Sequence, residues 1–247
     1  MTPSGFVLLD KVAGETSFKA LFPLKRVFCT KRVGHAGTLD LRASGLIIAA
    51  MGRATRLLPY VEAKDKCYTF RLHLGYETDT LEWDGDVVEQ DSRALENGGA
   101  AVAGVDRAAL ESVLPKFMGD IDQVPPKYCA VKIDGHRASD WVERGKQIEL
   151  AARRIHIASL KVVGAGALTE GCTGKSFATF DLECECSKGT YIRSLGRDLA
   201  RELGTFGCVS MIRRHRIGHV NLERAVKGDE LTREHLVPVN EVLEFPV

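Results

Sequence analysis

Two segments of the chain alternate between apolar and polar side chains, a period that predicts half-buried β-strands. In residues 67–74 every second side chain from Tyr68 onward is apolar, and the positions between them are polar. Residues 176–186 repeat the pattern, with apolar or cysteine side chains from Ala178 to Cys186 on the inward face. Further strands are predicted at residues 6–9, 46–50, 128–133 and 209–217.

Helices are predicted from apolar stripes and from residues typical of helix ends. Residues 106–117 and 190–203 have the helical spacing; Asp106 and Ser187 are candidate N-caps, and Gly204 is a candidate terminator. Residues 17–28 predict a helix that Pro23 kinks or shortens, and residues 54–63 predict another. Residues 32–44 are polar and punctuated by glycine, so they are predicted to be a loop.

These elements predict an α+β fold with a mixed, largely antiparallel sheet and flanking helices, because strands and single helices interleave without regular β-α-β alternation. A chain of 247 residues fits one large domain or two small ones. We expect residues 1–247 to form a single domain. Two glycine-rich stretches without a period, residues 91–105 and 164–175, are expected to be surface excursions.

Composition and charge exclude several classes of protein. The 34 Lys and Arg residues nearly balance the 33 Asp and Glu residues, so any nucleic-acid surface must be a local patch. The longest apolar run, residues 45–51, is far shorter than the roughly 20 residues of a membrane span. The first ten residues do not resemble a secretory signal, so we expect a cytoplasmic protein without membrane contact.

Cysteine spacing points to neither disulfides nor a metal site. The number of cysteines is odd, and only Cys184 and Cys186 are close together, as C-E-C. Metal sites usually separate their cysteines by two or more residues, and the sequence has no second Cys or His pair that would complete a site with this one. The pair is therefore interpreted as strand residues, and no metal is predicted.

The loop that ends at Asp40 is the first candidate for chemistry. Gly34 and Gly37 flank His35, which allows close approach of the backbone to a ligand. Asp40 stands between two leucines, and a carboxylate with apolar neighbours is costly unless it is paired or used. The alternative is an ordinary turn or cap aspartate.

Two further residues are unusual in their predicted surroundings. Arg193 falls in the first turn of a predicted helix, where the helix dipole disfavours a cation. It either meets a carboxylate or phosphate there or is a solvated arginine on a face shared with Arg197 and Arg201. Tyr68 lies on the inward face of its strand together with Lys66, which favours a cleft over a sealed core. The alternative is a core tyrosine with a satisfied hydroxyl.

Seven segments, in order, resemble the motifs of the TruB family of pseudouridine synthases, and the resemblance covers residues 5–217. The motifs are G-F-V-L-L-D-K (5–11), G-H-A-G-T-L-D-L-R-A-S-G (34–45), D-K-C-Y (65–68), L-G-Y-E-T-D-T (74–80), G-D-I-D-Q-V-P-P-K-Y-C-A-V-K-I-D-G (119–135), C-S-K-G-T-Y-I-R (186–193) and V-S-M-I-R-R (209–214). The resemblance implies the pseudouridine synthase fold and an isomerase that converts the uridine at position 55 of the tRNA T loop to pseudouridine. One catalytic domain is expected. Longer members of the family carry a C-terminal PUA-type RNA-binding domain, and none is expected here, because the chain ends soon after the last motif.

The resemblance also implies roles for particular residues. Asp40 would be the nucleophile, Arg193 would pair with it, keep it ionised and orient it, and Tyr68 would stack on the uracil or transfer a proton. The target nucleotide would be flipped out of its loop. His35 would contact the extruded RNA, and Ile212 would pack beneath the base. The remaining substrate contacts implied are Gly34, Gly37, Lys66, Asp79, Glu82, Lys132, Lys188 and Tyr191. Candidate phosphate contacts are Lys31, Arg32, Arg153, Arg154, Arg213 and Arg214.

No redox step or group carrier is needed for this isomerisation, so no cofactor is expected. The expected partner is the T-arm of tRNA, and a monomer is expected. Leu41, Arg42, Glu82 and Ser139 depart from the family pattern. Two alternatives stay open: an RNA-binding or tRNA-folding module in which catalysis is absent or secondary, and a synthase that acts on another RNA.

Overall fold

The structure is a computed structural model, and it describes residues 3–93, 105–170 and 176–243. The strands are β1 (Gly5–Lys11), β2 (Val33–Ala36), β3 (Ser44–Met51), β4 (Lys66–Leu74), β5 (Tyr76–Thr78), β6 (Val87–Gln90), β7 (Gly119–Gln123), β8 (Lys132–Ile133), β9 (His136–Arg137), β10 (Arg153–Glu170), β11 (Ser176–Cys186), β12 (Gly207–Ile217) and β13 (Val220–Asn221). The α-helices are α1 (Phe22–Val27), α2 (Leu58–Glu62), α3 (Arg107–Val113), α4 (Ala138–Glu143) and α5 (Ile192–Glu202).

The chain forms two compact units. The first comprises the residues up to Thr69 together with those from Met211 onward, and the second comprises Phe70–Ser210. The boundaries fall inside β4 and β12, so strands rather than linkers carry the chain from one unit to the other. The expectation of a single catalytic domain stays a prediction. Among the described helices, none has both the length and the apolar character needed to cross a bilayer.

The first unit is built around β3. It pairs antiparallel with β1, from Gly5↔Met51 to Lys11↔Gly45, and antiparallel with β2, from Val33↔Met51 to Ala36↔Ile48. Near its start it also pairs in parallel with β12, at Arg213↔Ser44. Leu46 and the next five side chains are fully buried, so β3 is covered on both faces and reads as a continuous apolar run.

The second unit contains the strand order β4-β11-β10-β7, with β10 antiparallel to both β11 and β7. Helix α5 packs on this unit through glycines. A Cβ at Gly196 would lie 2.2 Å from Val209 Cγ1, and one at Gly207 would lie 2.5 Å from the Cβ of Ala200. The helix can approach this closely only because both positions are glycine, which has no side chain. This packing fixes the position of the helix that carries Arg193.

Several predicted elements are confirmed. The alternating segments are β4 and β11, and the short strands β1, β3 and β12 are present, so the α+β class with a largely antiparallel sheet is correct. Asp106 caps α3, because its Oδ1 accepts the Ala109 N–H at 2.8 Å. Gly204 follows α5 with φ +70°, as expected of a helix terminator. Pro23 lies in the first turn of α1, which shortens the predicted helix at its N-terminal side.

Other predictions are wrong. Residues 32–44 are not all loop, because Val33–Ala36 pairs with β3. Of the predicted strand 128–133, only Lys132–Ile133 is extended and paired; the carbonyls of Tyr128 and Cys129 accept from Arg193 and Ser139 instead of from a neighbouring strand. Ser187 is not the N-cap of α5, because its hydroxyl accepts the His156 N–H of β10 at 2.9 Å. Strand β10 was not predicted at all.

The two predicted excursions lie partly outside the described residues. In the first, residues 94–104 are not described, while Asp91 at its start is buried and accepts from Thr205 Oγ1 at 2.7 Å. In the second, residues 164–170 belong to β10, and residues 171–175 are not described.

Candidate active site

Asp40 lies in the first unit, on the loop between β2 and β3. Ser17 fixes the residue before it: its hydroxyl donates to the Leu39 carbonyl and accepts the Leu39 N–H, both at 2.9 Å. The Asp40 carbonyl accepts the Ala43 N–H at 3.2 Å, which closes a turn. Asp40 is half-buried between the buried Leu39 and the exposed Leu41. Its main chain is thus held on both sides.

Lys11 supports the same loop from within the core of the unit. It is 1% exposed, and its ammonium donates to the carbonyls of Ala43, Leu41 (3.3 Å) and Val12 (3.0 Å). A buried ammonium is tolerated only where such acceptors replace water. This role was not predicted, although a lysine at the end of an apolar strand is a signal that could have indicated it.

Arg214 is a second buried cation that binds the main chain of the loop. It is 1% exposed; its Nε donates to the Leu46 carbonyl at 2.8 Å and its Nη2 to the Gly37 carbonyl at 2.9 Å. The prediction that Arg214 is a surface phosphate contact is therefore wrong. Gly37 has φ +67° and Gly45 has φ +101°, where a Cβ would lie 2.3 Å from the Arg214 carbonyl oxygen. These glycines serve the packing of this strand and loop.

His35 and Gly34 lie on β2. The Nδ1 of His35 is buried and has no hydrogen-bond partner among the described residues. Burial, followed by the charge of Arg214, lowers the pKa of His35 below its usual value, against a smaller raising effect of Glu62. The ring is therefore neutral at neutral pH. Gly34 faces α2, since a Cβ there would lie 2.8 Å from Leu58 Cδ1.

Tyr68 and Lys66 share the inward face of β4, as predicted, and both are buried. The Lys66 ammonium donates to the carbonyls of Glu62 and Lys64 at the end of α2, where a cation also complements the helix dipole. Lys66 is therefore not an exposed cation. Its ammonium lies against main-chain carbonyls and not in the open cleft that the sequence favoured. Ile212 is buried on β12, and Arg213 beside it donates to Asp10 Oδ2 at 2.8 Å.

Arg193 lies in the second unit, in the first turn of α5, and is 5% exposed. Its Nη1 donates to the Thr80 carbonyl and its Nη2 to the Tyr128 carbonyl, each at 2.9 Å. The alternative of a solvated arginine is therefore wrong. Two main-chain acceptors fix the plane of the guanidinium, and this helps to offset its unfavourable position at a helix N-terminus.

Tyr191 is the N-cap residue of α5, and Gln123 holds it. The Tyr191 N–H donates to Gln123 Oε1 at 2.8 Å, and Gln123 Nε2 donates to the Tyr191 carbonyl at 3.2 Å. A glutamine from β7, and not Ser187, therefore fixes the residue at which α5 begins, through both main-chain groups of that residue. Burial raises the pKa of the Tyr191 hydroxyl, with a further contribution from Cys129, so the phenol is protonated.

Asp79 and Glu82 lie on the eight-residue connection between β5 and β6. Asp79 Oδ1 accepts the Asp86 N–H at 3.1 Å, and Thr80 Oγ1 accepts the Glu82 N–H at 3.2 Å. Asp79 also accepts from the Tyr128 hydroxyl, whose pKa is raised by burial and then by Asp79. Since the Tyr128 carbonyl binds Arg193, Tyr128 connects Asp79 to Arg193 within the unit. The sequence analysis had not singled out Tyr128.

Asp79 and Tyr128 line a cavity of about 680 Å³ in the second unit, together with Leu81, Val88, Pro125 and Arg197. Four other cations that were predicted to bind RNA lie at the surface of the second unit. Lys132 and Lys188 are exposed, and so are Arg153 and Arg154, the latter 3.4 Å from Asp122. In the first unit Lys31 is exposed and Arg32 donates to Thr55 Oγ1 at 3.1 Å.

Metal-ligating side chains are not gathered anywhere in the described part of the chain: no three or more His, Cys, Asp or Glu residues there could hold an ion. Cys184 and Cys186 are buried on the inward face of β11, as interpreted from the sequence.

Comparison with solved structures identifies the fold. The chain superimposes on a chain of a Cbf5-Nop10-Gar1 complex with a TM-score of 0.67 at 24% identity, covering 97% of this chain and 61% of that one. For an H/ACA RNP bound to a substrate RNA the TM-score is 0.60 at 22% identity, covering 92% and 52%. At this identity the likeness establishes the fold, which is that of the pseudouridine synthases.

Sequence comparison identifies the family. The TruB family pseudouridylate synthase domain (N-terminal domain) matches residues 25–192. A tRNA pseudouridine synthase B of Caulobacter sp. (strain K31) is 36% identical over 250 residues, covering 98% of this chain and 74% of the relative. One of Mycolicibacterium paratuberculosis is 39% identical over 235 residues, covering 94% and 74%. The chain belongs to the TruB family of pseudouridylate synthases and is an isomerase.

Proposed function

We propose that the protein converts the uridine at position 55 in the T loop of tRNA to pseudouridine, with Asp40 as the nucleophile. Its relatives from Caulobacter and Mycolicibacterium are tRNA pseudouridine synthases, which supports a tRNA uridine as the substrate. The observation that carries the assignment of Asp40 is the rigidity of its loop. Ser17 and Lys11 hold the main chain on either side of it, so the carboxylate is presented without further ordering.

The reaction breaks the N1–C1′ bond, rotates the uracil and forms a C5–C1′ bond, and the proton on C5 is lost while N1 gains one. In our proposal the Asp40 carboxylate forms a covalent intermediate, either at C1′ of the ribose or on the base, which divides one difficult step into easier ones. Tyr68 provides a flat ring for the uracil and a hydroxyl for proton transfer. The target nucleotide is extruded from its loop to reach these groups.

Arg193 completes the proposed catalytic set by keeping the nucleophile ionised and oriented. The support is its fixed guanidinium, which is buried and bound to two main-chain carbonyls. His35 and Ile212 are proposed to contact the extruded nucleotide, and the neutral ring of His35 suits contact with a base rather than with a phosphate. The other proposed RNA-binding positions contact the RNA directly or support residues that do. They are Asp79, Tyr191, Gly34, Gly37, Lys66, Glu82, Lys132 and Lys188.

The test uses a tRNA transcript that lacks the T-loop modification and carries tritium at C5 of its uridines. Tritium is released only when C5 loses its hydrogen, and mapping of the product locates the new pseudouridine. We expect release of one tritium per tRNA and pseudouridine at position 55. A transcript with cytidine at position 55 is the control and should release none. Binding without release would favour the RNA-binding module, and a product at another position would favour a different RNA target.

A further inference from the structure

Two phenylalanine rings are exposed in the first unit, just before and within α1. The exposed fraction is 58% for Phe18 and 50% for Phe22, and their ring centroids are 5.7 Å apart in an edge-to-face arrangement. The ammonium of Lys25 lies 4.6 Å from the centroid of Phe18 and 5.1 Å from that of Phe22. We call these three side chains the Phe18–Phe22–Lys25 face.

The face is held by a well-anchored segment. Leu21 and Leu24, which follow Phe18 and Phe22 in the chain, are 1% and 0% exposed and bind the segment to the core. The phenylalanines are four residues apart and Lys25 follows Phe22 by three, so all three side chains fall on one side. The two exposed rings therefore form a contiguous apolar patch on an ordered surface, and such patches mark interaction sites, whereas apolar side chains exposed singly do not.

The segment that carries the face is positively charged. Residues 12–32 contain five basic side chains besides the single acidic Glu15, in a chain whose net charge is only +1. They are Lys19, Lys25, Arg26, Lys31 and Arg32. Exposed aromatic rings among cations are the combination with which proteins bind unpaired nucleotides, because every base has a flat face to stack and every linkage has a phosphate. A second copy of this chain would bring the same positive charge and be repelled.

The face is attached to the loop of Asp40. Ser17 is adjacent to Phe18 in sequence, and its hydroxyl makes both hydrogen bonds to Leu39 described above. Gly14 adds a third connection, because its N–H donates to the Leu41 carbonyl at 2.8 Å. A ligand on the face is thus held in a fixed relation to the loop.

We propose that the Phe18–Phe22–Lys25 face binds unpaired nucleotides of the substrate RNA outside the reacting uridine. A base stacks on a phenylalanine ring, and a neighbouring phosphate pairs with Lys25. The inference rests on the proposed function in one respect, that the substrate is a tRNA. It goes beyond that function because it adds a binding surface that takes no part in the reaction.

The test measures the Kd of a full-length tRNA transcript with cytidine at position 55, so that binding is observed without reaction. The double variant Phe18→Ala/Phe22→Ala should raise the Kd by about 5-fold or more, the loss typical of one stacked base. Phe18→Leu/Phe22→Leu keeps an apolar surface but removes the rings, and it should be impaired nearly as much. Lys25→Gln should weaken binding less and reduce the salt dependence by about one phosphate contact.

Tyr60→Ala is the matched control, since Tyr60 is 64% exposed on α2 in the same unit, and it should leave the Kd unchanged. Thermal unfolding of each variant checks the fold. The proposal is overturned if the alanine double variant binds like the wild type, if the leucine double variant does, or if Tyr60→Ala is equally impaired. A changed oligomeric state at unchanged Kd would also overturn it, in favour of a protein contact.

These outcomes are separate from those of the proposed function. Pseudouridine formed at position 55 by an enzyme whose phenylalanine variants bind normally would overturn only the RNA-binding face. A product at another position, with the effect of the phenylalanines on the Kd intact, would overturn only the assignment of position 55.

Discussion

In the first unit Asp40 lies on a loop whose main chain is held by buried side chains from other elements, whereas in the second unit Arg193 is itself buried and binds main chain. Lys11, Ser17 and Arg214 hold the loop of Asp40 or its flanks through backbone atoms. Arg193 is fixed through the carbonyls of Thr80 and Tyr128. Removal of the Asp40 charge should therefore affect chemistry more than stability, while truncation of Arg193 should affect chemistry and stability together.

The largest effect is expected from Asp40→Asn, which keeps the size of the side chain and removes the nucleophile. We expect the single-turnover rate on tRNA to fall on the order of 10⁴-fold or more, as when other covalent nucleophiles are removed. The Kd for tRNA should change little, because phosphate contacts supply most of the affinity. Tritium release measures the first quantity and filter binding the second. Full activity of Asp40→Asn would exclude Asp40 as the nucleophile.

Arg193→Met should have the next largest effect, and it tests whether Arg193 serves both catalysis and the stability of the fold. The rate should fall on the order of 10²- to 10³-fold, as for loss of one oriented donor in an active site. The free energy of unfolding should fall by about 1–3 kcal/mol, because two carbonyls lose a buried partner. Both are measured on the same preparation, by single-turnover assay and by urea unfolding.

Arg193→Lys is the matched variant, because it keeps the charge and loses the two-pronged geometry. It should be impaired, but less than Arg193→Met, since an ammonium cannot reach both carbonyls in the same way. Neither variant should greatly weaken tRNA binding. A wild-type rate in Arg193→Met, or a defect confined to the Kd, would show that this arginine does not serve the nucleophile.

Lys11→Met tests whether the loop of Asp40 depends on its buried support. Loss of the ammonium leaves the carbonyls of Leu41 and Ala43 without this donor, so the loop should shift. We expect the single-turnover rate at saturating tRNA to fall roughly 10- to 10²-fold, the cost of a small misplacement of a reacting group. Lys161→Met, at an exposed lysine of β10, is the control and should be near wild type. If Lys11→Met destabilises the fold but keeps the rate, the loop does not need this lysine for its geometry.

The comparison also explains how far the sequence predicted the site. Asp40 and Arg193 were noticed because a carboxylate between leucines and an arginine in a first helical turn conflict with local preference, and the family resemblance then gave them catalytic roles. The supports were not predicted, because Lys11, Ser17 and Gln123 act on backbone atoms, and a backbone acceptor has no residue type to recognise. The same holds for the fold. Strands β4 and β11 alternate cleanly and were found, whereas β10 has register shifts at Ile157/Ser159 and Val162/Gly164 that break its period.

The two units also differ in one histidine each: His35 in the first unit is half-buried, and His73 in the second is 2% exposed. His35 in the first unit and His73 in the second both have a lowered pKa, mainly because of burial. For His73 the pKa falls from 6.5 to about 4, with a further lowering by Arg71 and an opposing effect of Asp181. Its Nε2 lies 2.7 Å from Ser210 Oγ, and its ring stacks on Trp83 with centroids 6.2 Å apart.

His73 should make the protein less stable at acid pH. Between pH 6.5 and 4 the unfolded chain binds a proton at this residue that the folded chain does not, so the free energy of unfolding falls as the pH falls through this window. The full difference is on the order of 3 kcal/mol, and at neutral pH it is absent. Urea unfolding followed by Trp83 fluorescence at several pH values measures it. In His73→Gln the slope between pH 6.5 and 4 should be smaller, whereas His136→Gln, at an exposed position, controls for loss of a histidine. Equal slopes for His73→Gln and the wild type would mean that His73 is protonated as readily in the folded protein as in the unfolded chain.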